Sequence, residues 1–107
     1  MSNTHGPDTF DGPGLVQYCY SQIGVEVGLT PAAQSAAGKG VSRSELMPGD
    51  IVCFDTATGG TGPVNHTGIY LGNNRFIDAS KTFGEVTVHN LTGSYATQFL
   101  YGRHVVD

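Results

Sequence analysis

The sequence predicts an α+β domain in which an N-terminal helix packs on an antiparallel sheet of about five strands. Two observations carry this expectation. Helical periodicity is confined to the first third of the chain, and the remainder consists of short apolar or alternating runs separated by Gly, Asn and Pro. The 107 residues, 38% hydrophobic and 13% charged, suit a single domain over 1–107 with one core.

The elements follow in chain order. Phe10-Asp11-Gly12-Pro13-Gly14-Leu15-Val16 reads as a loop turning into a helix. Asp11 can cap it, and Pro13 suits the first helical position because its missing N–H costs nothing there. From about residue 13 to 23, Leu15, Val16, Cys19, Tyr20 and Ile23 form one apolar face, and Gly24 ends the helix. Thr30-Pro31 through Gly38 predicts a second, short helix with a cap at its start. Ser42-Arg43-Ser44-Glu45 has capping-box spacing and predicts a single turn. Strands are expected at about 51–55, 64–71, 75–80, 85–90 and 99–106, with Gly59-Gly60-Thr61-Gly62-Pro63 as the most flexible connection.

The hairpin at Gly72-Asn73-Asn74 makes a geometric prediction. With those three residues as the loop, Leu71 pairs with Arg75 and Gly68 with Asp78, so His66 and Asp78 become diagonal neighbours on one face. A two-residue turn would put them on opposite faces. Gly68 has no side chain to separate them, so the carboxylate can reach and orient the imidazole. A lone strand histidine is otherwise an ordinary structural residue.

Composition excludes several classes of function. A net charge of −4 with only five Lys and Arg argues against nucleic acid or an anionic membrane as a partner. No run approaches the ~18 apolar residues of a membrane span, and the N-terminus does not read as a signal peptide. His5, His89 and His104 are scattered without paired spacing, so no metal site and no cofactor is expected. Cys19 and Cys53 read as two buried thiols, with a disulfide between them left open.

Four blocks of sequence together resemble the NlpC-type peptidoglycan endopeptidases, papain-like cysteine peptidases that cut bacterial wall stem peptides. They are Phe10-Asp11-Gly12-Pro13-Gly14-Leu15-Val16, where that family has F-D-C-S-G-L-V; Glu45-Leu46-Met47-Pro48-Gly49-Asp50-Ile51-Val52; His66-Thr67-Gly68-Ile69-Tyr70-Leu71-Gly72; and Phe76-Ile77-Asp78-Ala79-Ser80. The resemblance implies a papain-like fold, with the chain beginning beyond the family's first helix, and a wall-facing or extracellular location. It also implies that His66 is the catalytic base and that Asp11, Pro13 and Ser80 lie along the substrate side of the cleft; Asp78, the partner that the hairpin register gives His66, stands at the third catalytic position, where the family commonly has His.

The departures fall on the chemistry. Gly12 stands where the family has its nucleophilic Cys, at a helix N-terminus that would lower a thiol's pKa. Pro13 stands where the family has a Ser that recognises the substrate amine. Cys19 lies seven residues on, ~10 Å along the helix, too far to substitute. The sequence therefore leaves three readings. The domain is catalytically dead and binds a stem peptide or a protein partner; it is an inactivated form of an active endopeptidase; or it is a structural domain without ligand.

Overall fold

The computed structural model describes residues 12–57, 62–79 and 85–105. Asp11, Ser80 and the Gly59-Gly60-Thr61 part of the expected flexible connection lie outside the described residues. Helix α1 spans Gly12–Ser21 and α2 Pro31–Gln34; β1 is Lys39–Val41, and a single 3-10 turn at Arg43–Glu45 leads towards β2, Ile51–Phe54. Then come β3 (His66–Gly72), β4 (Arg75–Ala79), β5 (Val86–Asn90), α3 (Ser94–Gln98) and β6 (Phe99–His104).

The six strands form one antiparallel sheet in the order β1-β6-β2-β3-β4-β5. Short β1 adds to the edge beside β6 and was not signalled by the sequence pattern. Strand β2 lies inside the sheet and is buried at all four positions, Ile51-Val52-Cys53-Phe54, as a strand covered on both faces must be. Ile51 and Cys53 join Val16, Tyr20 and Val27 under α1. Val52 and Phe54 face the other way and pack with Phe76 and Leu91. Burying Phe54 and Phe76 contributes about 1.5–3 kcal/mol each, and their rings meet at 4.8 Å between centroids.

Local signals explain the ends of the helices. At the end of α1, Gly24 takes φ 76° and the Val25 N–H reaches the Tyr20 carbonyl, a left-handed cap that glycine adopts without strain. Thr30 caps α2 by accepting from the Ala33 N–H at 3.1 Å. The Glu45 carboxylate accepts from the Ser42 N–H at 2.9 Å, closing the single turn as the capping-box spacing predicts.

Two expectations for α1 are corrected. Cys19 is exposed, and Ile23 is 62% exposed. The helix presses Leu15, Val16 and Tyr20 onto the sheet, but it ends at Ser21, so Ile23 falls in a turn outside the periodicity that would have buried it. Cys19 borders a shallow apolar cleft of about 180 Å³ beside Tyr20 and Gly49. Cys53 is fully buried as expected, and burial pushes its thiol up to about 12. Both cysteines are free thiols.

The β3–β4 hairpin differs from the expected one but preserves its consequence. Gly72 pairs with Arg75, leaving a two-residue turn in which Asn73 and Asn74 take φ 53° and 61°, the left-handed pair that a tight hairpin requires. A register shift between Tyr70 and Gly72 then absorbs Leu71 as an extra residue. Beyond it Tyr70 pairs with Phe76 and Ile69 with Ile77, which continues to Gly68 opposite Asp78. The bulge cancels the inversion a two-residue turn alone would produce, and His66 and Asp78 share a face.

Candidate functional site

The start of α1 meets the start of β3. Gly12, Pro13 and Gly14 are all buried, and the small first turn lets the helix backbone lie against the strand. Gln34, fully buried at the end of α2, fastens this junction. Its side-chain N–H group donates to the Pro13 carbonyl at 2.7 Å and the Gly28 carbonyl at 2.9 Å, while its oxygen accepts from the Thr67 hydroxyl at 2.6 Å. One amide therefore ties α1, the turn before α2, and β3 next to His66. The sequence reading placed Gln34 on a short helix without a role; a long polar side chain among alanines was the available signal.

His66 projects from the first residue of β3. Its Nε2 lies 2.6 Å from Asp78 Oδ2, with side-chain exposures of 16% for His66 and 8% for Asp78. Gly68 makes the approach possible, since a Cβ there would lie 2.6 Å from the Ile77 carbonyl oxygen and 3.2 Å from Asp78 Cβ. The opposite edge of the imidazole faces Gly12. A Cβ added at Gly12 would fall 2.6 Å from His66 Cε1, 2.8 Å from His66 Nδ1 and 2.7 Å from the Thr67 carbonyl oxygen. The place a side chain at position 12 would take is thus occupied by the imidazole and by the backbone of β3.

The other oxygen of Asp78 is also engaged. His89 Nε2, from β5, lies 2.9 Å from Asp78 Oδ1. His66, Asp78, His89 and Tyr95 line a cavity of about 340 Å³, with the neutral polar side chains of Asn65, Thr56 and Thr87 on its rim. Burial pushes the Tyr95 phenol above its ordinary pKa, and the Asp78 carboxylate pushes it further in the same direction. The base of the loop beside this cavity is tied down: Asn65 accepts from the Thr56 N–H at 2.9 Å, and buried Asp55 accepts from the Ala57 N–H at 3.0 Å and the Gly62 N–H at 2.6 Å.

Of the residues singled out from the sequence, Gly12, His66 and Asp78 come together. Pro13 sits in the buried first turn with its carbonyl held by Gln34, and Asp11 and Ser80 lie outside the described residues. His89, one of the histidines that the sequence leaves scattered, touches the same carboxylate as His66. His104 pairs with Asp50 instead, Nδ1 to Oδ1 at 2.6 Å, away from the cavity. Among the described residues no group of three His, Cys, Asp or Glu side chains is arranged to hold a metal ion. The site can orient an imidazole and receive a polar ligand, but position 12 supplies no nucleophile.

Residues 3–105 match the NlpC/P60 family. The chain is 40% identical over 98 residues to a Listeria seeligeri protein named "Probable endopeptidase p60", covering 92% of this chain and 18% of that protein. It is 38% identical over 103 residues to the "Peptidoglycan DL-endopeptidase CwlO" of Bacillus licheniformis, covering 92% of this chain and 22% of that one. The chain thus spans roughly a fifth of the length of these curated relatives. A crystal structure of an NlpC/P60 family protein from Bacillus cereus superposes with a TM-score of 0.84 at 25% identity, over 92% of this chain and 32% of that chain.

Proposed function

The chain belongs to the NlpC/P60 family, and from that premise we propose that it is a degenerate cell-wall endopeptidase domain, facing the wall, that binds a peptidoglycan stem peptide or a protein partner without cutting it. The observation that carries the reading is the filled space at position 12. A cysteine peptidase needs a thiol near its histidine, and here the Cβ of any such residue would overlap the His66 ring and the Thr67 carbonyl. His66 and Asp78 remain as a hydrogen-bonded pair, able to polarise a ligand but deprived of the covalent route that splits amide hydrolysis into two easier steps. The cavity beside them, lined by two imidazoles, the Asp78 carboxylate and neutral hydroxyl and amide groups, is suited to the N–H and C=O groups of a peptide.

One observation favours a second reading, in which the chain is an active D-glutamyl–diamino-acid endopeptidase whose nucleophile has been exchanged for Gly12. His66 presents Nδ1 to position 12 and Nε2 to Asp78, the orientation a Cys–His–Asp relay would use. Digestion of purified muropeptides, followed by mass spectrometry, separates the two. The unaltered chain is expected to leave them intact. The Gly12→Cys, Pro13→Ser double variant stays at background on the first reading and regains turnover on the second. Cleavage by the unaltered chain, abolished by His66→Ala, would contradict both.

A further inference from the structure

Asp78 stands on β4 between two histidine-bearing strands, and the register places both histidines diagonally to it. On one side Gly68 lies opposite Asp78 and His66 two residues before it; on the other Thr87 pairs with Asp78 and His89 with Phe76. Each oxygen of the carboxylate faces one imidazole, His66 at 2.6 Å and His89 at 2.9 Å. The His89 ring packs at a tilt against two aromatic rings, 5.4 Å from the Phe76 ring and 4.8 Å from the Tyr95 ring between centroids. Its Nε2 is therefore fixed against Asp78 rather than free to swing into solvent.

We infer that His89 is a positioning residue of the cleft: it immobilises the Asp78 carboxylate and through it fixes which nitrogen of His66 carries the proton. An ionised carboxylate only accepts hydrogen bonds, so the His66 imidazole, hydrogen-bonded to Oδ2, must donate from Nε2, while His89 Nε2 stands in close ion-pair contact with Oδ1. His66 then keeps its unprotonated nitrogen at Nδ1, the one facing position 12, in its neutral form. The groups that face this cluster are His66 on β3, His89 on β5 and the Tyr95 hydroxyl on α3, while α1 contributes the N-terminal end of its backbone at Gly12. Without His89, Oδ1 of an almost buried carboxylate loses this close contact. The group can then turn about its own axis, and the His66 Nε2 contact that selects the tautomer is loosened.

The inference rests on the reading of the cleft given above, but its test uses no substrate. Nitrogen-15 NMR of the histidines in the full chain is expected to show both His66 and His89 as Nε2–H tautomers, with both Nε2 protons protected from exchange. In His89→Phe, which keeps a ring against Phe76 and Tyr95 but removes the ring nitrogen, His66 is expected to show a mixture of tautomers and its Nε2 proton to exchange about tenfold faster, as a weakened His66–Asp78 hydrogen bond implies. His89→Gln restores an N–H and should restore the wild-type pattern. An unchanged His66 signature in His89→Phe would overturn the inference. So would a wild-type His89 in the Nδ1–H form, a result that needs no variant to fold. Failure to bind wall peptide would count against the proposed function and leave the tautomer result standing.

Discussion

Gly12 concentrates the energetics of the site in one missing atom. In the interior of a helix alanine is the better residue by about 1 kcal/mol, and at the first residue of α1, where Gly12 stands, that preference is smaller. Here an added Cβ would meet the His66 ring and the Thr67 carbonyl at 2.6–2.8 Å, and forcing atoms into a packed junction costs about 1–3 kcal/mol. Gly12→Ala is therefore expected to lower stability in urea denaturation, reversing the sign of the helix-propensity rule. A gain in stability would mean that the junction opens easily and that a nucleophile could be accommodated after all. His66 and Asp78 were legible from the sequence because a short hairpin leaves only two registers to choose between. His89 was not, because the connection from β4 to β5 carries no turn signal that fixes how the strands pair, and only the register shows that Phe76 faces His89.

At the scale of the element, the β3–β4 hairpin shows how the correct juxtaposition arose from an imperfect expectation. Gly72-Asn73-Asn74 reads as one loop, but Gly72 joins the ladder and Leu71 bulges. Both readings shift the register by the same net amount, so the faces agree. The two asparagines hold the turn in left-handed backbone, which disfavours a branched side chain by roughly 1–2 kcal/mol. Asn73→Val is expected to lose about that much in thermal or urea unfolding, while Asn73→Gly leaves stability nearly unchanged; equal stabilities for the two would contradict the turn assignment. Asn74 is a poorer test because its side chain accepts from Arg43 at 2.9 Å and so does a second job. The elements the sequence left unmarked, β1 at Lys39–Val41 and α3 at Ser94–Gln98, are three and five residues long. Such lengths are too short for a period of 2 or 3.6 to declare itself, and both elements depend on neighbours from distant parts of the chain.

In the whole molecule, the sheet's two faces have different tasks. Helix α1 covers one and supplies Gly12; the aromatic cluster of Phe54, Phe76 and Tyr95 fills the other and supports the histidines. The packing also makes a pH prediction. Burial, reinforced by the Asp50 carboxylate, pushes the Tyr20 phenol from 10.0 to about 12, and burial pushes the Cys53 thiol from 9.0 to about 12. Both groups keep their protons longer in the folded chain than in the unfolded one. Their contribution is full below about pH 9 and is lost as pH rises through the folded values, because the unfolded state releases the protons first. Denaturation midpoints should fall as pH rises above about 9, and Tyr20→Phe should make the fall shallower; a flat profile would show that neither group is buried as described.

The central claim, that the cleft binds wall peptide and cannot cut it, is tested most directly by adding a synthetic stem peptide to nitrogen-15-labelled protein and recording both partners by NMR over hours. The account predicts that signals of His66, Asn65 and Thr87 move in a saturable way while the peptide's own spectrum stays unchanged. New peptide signals from a cleaved D-glutamyl–diamino-acid bond would contradict it, as would a protein spectrum in which no residue of the cleft responds.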